Sequence, residues 1–239
     1  MIIPKEKDPI GTALLEYING TWNGEEIKVD TSFTEDEELP VTYFFRGLEG
    51  MPIQEQKAME LAYGKVLDAG AGAGCHALEL QMRGLDVTAI DISEASIEVM
   101  KRRGVNKVFA KDLLDVTEQY DTILMLMNGA GVFQTIDGMN DFFENKLKKV
   151  LKKGGQLLID SSDLIYLYEE GDGSFAINLN DQYHGEIEYF VSYKGIVGEP
   201  FLWLYVSYDV LEMTAEEYGF KCEKVVDGPH YDFLAKISY

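Results

Sequence analysis

The chain has 239 residues, of which 46% are hydrophobic and 12% aromatic, enough to bury a full core without disulfides or a structural metal. Its 42 acidic residues outnumber 21 basic ones, for a net charge of −21, and such a surface repels phosphate backbones, which excludes nucleic acid as the expected partner. No apolar run reaches membrane-spanning length, the first residues lack a signal peptide's apolar core, and Cys75 and Cys222 are the only cysteines, so the expectation is a cytoplasmic chain with no membrane association and no disulfide.

In chain order, residues 1–50 read as an N-terminal cap and residues 51–239 as one domain with an insertion at about 161–208. The cap holds a helix near Ile10 to Tyr17, an acidic stretch from Thr34 to Glu38, and the apolar-basic run Val41 to Arg46. A helix starts near Pro52, because proline suits a first helical position. The strand Lys65 to Asp68 ends in an acid, and the alternate glycines Gly70, Gly72 and Gly74 then open a helix from Cys75 to Arg83. The strand Val87 to Ile90 also runs into an acid, Asp91, and Ser93 caps a helix from Glu94 to Arg102. Lys107 to Ala110 is a third strand, and the near-continuous apolar run Asp121 to Met127 suits a central parallel strand. Met139, Phe142, Phe143, Leu147, Val150 and Leu151 keep helical spacing up to Gly154-Gly155, and Gln156 to Asp160 is the fifth strand. Within the insertion, Tyr183 to Tyr193 alternates in part and can pair with Phe201 to Val206 as a hairpin. A helix from Asp209 to Tyr218 and an antiparallel pair, Phe220 to Val226 with Tyr231 to Ile237, complete the chain. The basic clusters Lys101 to Arg103 and Lys146 to Lys153 lie at helix ends, where solvated cations are ordinary.

Strand, glycine-rich turn, helix, strand and acid form the plan of a nucleotide-binding βαβ unit. A pyrophosphate at the helix mouth would be repelled by Asp68, whereas a ligand carrying a sulfonium and an ammonium group is suited by a nearby carboxylate. Gly72-x-Gly74-x-x-Ala77 also fits a loose dinucleotide fingerprint, although it begins four residues past Asp68. The stretch Asp68-Ala69-Gly70-Ala71-Gly72-Ala73-Gly74 resembles the first motif of class I S-adenosylmethionine (SAM)-dependent methyltransferases.

That resemblance implies an α/β fold. It is a three-layer Rossmann-like sandwich around a mostly parallel seven-stranded sheet of order 3-2-1-4-5-7-6, with the last strand antiparallel and, here, an inserted β-hairpin. It also implies SAM as the cofactor, held by Asp68, Ala69, Gly70, Ala71 and Gly72 at the turn. Asp91 would take the ribose hydroxyls with Ile92 beside it, and Asp112 the adenine amino group with the Leu113 amide on the ring. Asp115 lies close enough to leave that last register open. Met127 and Asn128 follow the fourth strand, at the edge where open α/β sheets bind ligands. The loop from Met127 to Phe133 lacks the Asn-Pro-Pro-aromatic sequence of amino-methylating nucleic-acid enzymes and the acid of metal-dependent catechol methyltransferases.

The reading is a methyltransferase acting on a small molecule. The alternatives are a SAM-binding protein without catalysis, a protein-directed methyltransferase, and an NAD-dependent oxidoreductase. A base is needed only if the acceptor atom loses a proton, and His184 and His76 are the nearest candidates, His76 reading as structural or cofactor-adjacent. Asn128 would orient a substrate group or stabilise its turn, and Arg46 would pair with the cofactor or a substrate carboxylate or serve the surface. Three dispersed histidines without a Cys-x-x-Cys pair give no metal site. Trp203, Tyr183 and His184 would roof the substrate, or the insertion's aromatics form their own core or a homodimer face.

Overall fold

The computed structural model describes residues 2–169 and 182–239. Helix α1 (Pro9–Asn19) starts where the Asp8 carboxylate accepts the Gly11 amide at 2.7 Å and stops at Gly20, whose φ of +71° suits glycine. Strands β1 (Ile27–Thr31) and β2 (Glu37–Leu39) follow, then a 3₁₀ turn over Val41–Phe45 and helix α2 (Ile53–Leu61). The βαβ unit is β3 (Lys65–Ala69), α3 (Cys75–Met82), β4 (Asp86–Asp91) and α4 (Glu94–Arg103). Next come β5 (Val108–Ala110), β6 (Tyr120–Met125), α5 (Ile136–Asp141) and α6 (Leu147–Val150), the two helices joined by a π-helical turn over Phe142–Lys146. The remainder is β7 (Leu151–Ser162), β8 (Glu186–Tyr193), β9 (Ile196–Val197), β10 (Phe201–Leu204), α7 (Tyr208–Glu217), β11 (Lys221–Asp227) and β12 (Asp232–Ser238).

Seven strands form the central sheet in the order β11-β12-β7-β6-β3-β4-β5, which is the expected 3-2-1-4-5-7-6. The five strands from β5 to β7 are parallel, and β12 runs antiparallel to both of its neighbours. Alternation along the strands sends side chains to two cores. Leu67 and Ile123 pack with Phe142, Phe143 and Leu211 on one face, while Val66 and Leu124 pack with Met59, Leu80 and Met100 on the other. One boundary differs from the sequence reading: the helix stops at Val150, and β7 begins at Leu151 rather than Gln156. Leu151 pairs with Tyr120, and the register shifts before Gln156 pairs with Thr122, across Gly154 at φ +78°.

The expected hairpin forms, with Tyr189 opposite Phe201 and Ile187 opposite Trp203. It does not stand alone. β8 also pairs with β1, Val191 opposite Val29, and β1 with β2, so the insertion and the N-terminal segment share one antiparallel sheet. Ala13, Leu14, Ile27, Val41, Val191 and Tyr193 form a third core beneath that sheet, which also takes in Ala73 and Val99. The first residues are pinned to the main sheet as well. The Ile3 amide donates to the Ile92 carbonyl at 2.7 Å, and the Ser93 hydroxyl donates to the buried Asp8 carboxylate. Among the described residues, no helix is long and apolar enough to cross a membrane.

Candidate functional site

β3 delivers Asp68 and Ala69 to the carboxyl edge of the sheet, and the chain then turns through Gly70, Gly72 and Gly74 at φ +75°, +54° and +81°. Only glycine takes this backbone without strain, and at Gly74 a Cβ would also lie 2.9 Å from Met100 Cγ. The Gly70 and Ala71 amides both donate to the Ile90 carbonyl at 3.0 Å. The Gly72 amide donates to one Asp91 oxygen and the Ser93 amide to the other, each at 2.8 Å, so Asp91 ties the turn to the end of β4. Desolvation pushes the Asp91 pKa up to about 6, against the two amide bonds and with help from the Asp8 and Asp68 carboxylates.

Asp68 is only 2% exposed, and its Oδ2 has no hydrogen-bond partner. Burial raises its pKa, opposed by the charge on His76 and the Ala77 amide. Beside it runs a buried ionic chain. Arg46 forks onto Glu55, with Nη2 at 2.5 and 2.6 Å from the two carboxylate oxygens, and His76 Nε2 lies 2.9 Å from the same carboxylate. Burial works against charge on both partners. Even so, the bonds from His76 and Arg46 hold Glu55 below its ordinary pKa, and Cys75, Glu55 and Asp68 push His76 well above the ordinary imidazole value. Arg46 also donates to the Tyr43 carbonyl at 2.6 Å, and its guanidinium sits 3.9 Å above the Tyr43 ring. Next to Tyr43, the Phe44 ring lies 3.6 Å from where a Gly72 Cβ would be, so the Val41–Phe45 turn leans on the glycine turn.

At the exit of β6, Met127 and Asn128 are consecutive left-handed residues, φ +66° and +55°, a strained conformation that the surroundings must hold. Asn128 Nδ2 donates to the Leu204 carbonyl at 3.1 Å, and Asn128 Oδ1 accepts from the Ser161 hydroxyl at 3.3 Å. Ser161 Oγ in turn accepts the Val206 amide at 2.9 Å, so the insertion is fastened to this loop. Trp203 closes the joint, since a Cβ on Gly131 would fall 1.9 Å from its ring. The buried Asp160 carboxylate accepts the Gly129 amide at 2.8 Å, and burial pushes its pKa up to about 6.

The structure thus gathers Asp68, Ala69, Gly70, Ala71, Gly72 and Asp91 into one bonded edge, with Met127 and Asn128 at the exit of the adjacent strand. Ile92 is 39% exposed beside them. At the exit of β5, Asp112 accepts the Leu114 amide at 3.0 Å, Leu113 is buried and Asp115 is exposed. Both amide atoms of Asn128 and the guanidinium of Arg46 have partners within the protein. His184 lies with the insertion, Nε2 3.5 Å from Asp163 Oδ1, between the rings of Tyr168 and Tyr183. The sequence reading gave no role to Glu55 or Asp160. For Asp160 the signal was present, because Leu157-Leu158-Ile159-Asp160 ends an apolar strand in an acid as Asp68 and Asp91 do. Glu55 stands in a helix's first turn, where an acid is ordinary, and carried no such signal.

A methyltransferase-domain family model matches residues 62–189, more than half of the chain. The chain belongs to the class I SAM-dependent methyltransferases. A solved SAM-dependent methyltransferase from Bacteroides fragilis, in complex with S-adenosyl-L-homocysteine, is 43% identical and superposes with a TM-score of 0.93 over 100% of this chain and 97% of that one. Another, from Clostridium acetobutylicum, is 16% identical with a TM-score of 0.53 over 78% of this chain and 88% of that one, and shares the methyltransferase fold. A ubiquinone biosynthesis O-methyltransferase from Rickettsia bellii is 28% identical over 97 residues, 38% of this chain. The match spans 39% of the length of that curated relative.

Proposed function

We propose that this methyltransferase binds SAM at the glycine turn and transfers its methyl group to a small-molecule acceptor held under the insertion. The observation that carries the reading is Asp68, a buried carboxylate with an unpartnered oxygen where the turn leaves β3. An orphaned anion there asks for a cationic ligand, and Asp91 and Asp160 make the same edge hostile to a pyrophosphate. Gly70 and Gly72 leave the backbone bare of side chains, and Asp91, already held by two amides, keeps lone pairs for ribose hydroxyls. Asp112 and Leu113 at the next strand exit suit the adenine, and Ile92 offers an apolar face beside it.

When bound, SAM supplies a methyl on a sulfonium sulfur, which keeps the bonding electrons as the acceptor's lone pair displaces it. The chain's own part is alignment and exclusion of water. The Val41–Phe45 turn walls one side of the glycine turn, and β10, fastened through Asn128 and Trp203, walls the other. We assign His184, paired with Asp163, to take the proton if the acceptor releases one. The complex of the Bacteroides fragilis protein with S-adenosyl-L-homocysteine supports this cofactor, and the ubiquinone O-methyltransferase match supports a small acceptor. Calorimetry with SAM, S-adenosylhomocysteine (SAH) and NAD(H), on the wild type and Asp91→Ala, tests it. Micromolar binding of the adenosyl ligands, weakened by the substitution, is expected, whereas binding of NAD(H) alone would overturn the proposal.

A further inference from the structure

The insertion presents a row of rings to the loop that follows β6. Alternation along β10 and its continuation puts Phe201, Trp203 and Tyr205 on one side, and the pairing of Phe201 with Tyr189 brings that ring alongside. Trp203 fixes which side this is, because its ring fills the space over Gly131 in that loop. The row therefore extends outward from the exit of the central strands. Tyr189 and Phe201 are stacked with centroids 5.7 Å apart and planes 17° apart, and Trp203 meets Phe201 edge-on at 6.0 Å. The Tyr189 and Tyr205 hydroxyls bond to each other. Phe201 is 36% exposed at the outer end of the row, Trp203 and Tyr205 are half-buried, and Tyr189 packs in part against the third core, so the open part of the row is Phe201 with the ring edges beside it.

Charge decides what that wall accepts. Between Lys153 and Lys221 the chain carries a single basic residue, Lys194, among thirteen acidic ones. Lys194 is spent on Glu16 and on the Tyr193 ring. Arg46, Lys65, Arg103, Lys148 and Lys224 sit over other rings, and among the described residues no cation lies over Tyr189, Phe201, Trp203 or Tyr205. A phosphate or carboxylate entering here would lose its hydration without gaining a counter-charge. A planar ring gains stacking, and an amine on it would meet electron-rich ring faces.

We infer that the methyl acceptor is an aromatic compound without an anionic group, stacked on Phe201 and Trp203, with the Tyr189–Tyr205 hydroxyl pair as its polar anchor. This rests on the proposed methyl transfer, but the row of rings can be probed separately. Ligand-observed NMR would be run on the SAH-loaded chain with fragments in matched sets: neutral aromatic with and without a hydroxyl, amine-bearing aromatic, carboxylated aromatic and aliphatic polyol. The neutral and amine-bearing rings should bind about 10-fold more tightly than their carboxylated analogues. Phe201→Ala should abolish that binding while SAH affinity and melting temperature show the fold intact, and Tyr189→Phe should weaken only fragments with a hydroxyl. Preference for carboxylated or aliphatic fragments would overturn the inference. So would ring binding indifferent to Phe201→Ala, or no ring binding by a chain that takes SAH. If SAH itself fails to bind, the cofactor assignment falls, and the same screen on the unloaded chain still decides what the rings accept.

Discussion

Asp91 holds the glycine turn through one oxygen and the amide of the α4 cap residue Ser93 through the other, and burial pushes its pKa up to about 6. Ribose hydroxyls need the ionised form as acceptor, so bound ligand lowers this pKa. SAH affinity should therefore fall as pH drops through about 6, and calorimetry between pH 5 and 8 would follow it. Asp91→Asn should bind about 10-fold more weakly at pH 8 and lose most of the pH dependence, since a charge-assisted hydrogen bond contributes about 1.5–3 kcal/mol. Glu55 acts differently, as the shared counter-charge of Arg46 and His76. Glu55→Gln would leave both cations buried without it and should cost about 3–5 kcal/mol of stability, read by denaturant titration at pH 7. Loss of SAH affinity in the same variant would show that the Arg46 chain also sets the shape of the glycine turn.

At the scale of elements, the joint between β10 and the loop after β6 is the exacting one. Gly131→Ala would drive a methyl into the Trp203 ring, and the strand can yield only by lifting off. The expected loss is about 1–3 kcal/mol, with a red-shifted tryptophan emission as Trp203 meets water. The elements most legible in the sequence are those whose signals are local. β3, β4 and β6 are buried on both faces and read as apolar runs, and the turn between β3 and α3 needs three glycines in left-handed backbone. β1 was not legible, because it turns only Ile27 and Val29 toward its core, between charged residues, and its partner β8 is distant in the chain. Asp91 and Asp68 announced themselves by ending strands. Arg46 was visible as a lone cation in an apolar run, but its partner Glu55 was not, because nothing in the spacing ties a helix's first-turn acid to a residue in the preceding turn.

For the molecule as a whole, the two sheets have opposite economies of sequence. The central sheet grows mostly from neighbours in the chain, whereas the outer sheet joins residues 27–39 to residues 186–204. The amides of β1 and β8 should open and close together, because the two strands share one pairing and lose it whether the cap or the insertion lifts away, which leaves β1 only its ribbon with β2. Hydrogen exchange should then show one shared opening rate for the amides of β1 and β8, and SAH should slow both, although neither strand carries a proposed cofactor residue. Separate rates would mean that the cap moves independently of the insertion. The same pairing has a consequence for synthesis on the ribosome. Ile27–Thr31 leaves the exit tunnel about 160 residues before the strand that receives it, and at an elongation rate of about 5–20 residues per second the wait is on the order of ten seconds or more. Through that interval β1 and β2 can form at most a two-stranded ribbon too weak to stand alone. The glycine turn and β4 emerge well before that ribbon is covered, so the nascent chain holds the proposed cofactor edge before its outer wall can close, and β12 completes the central sheet later still.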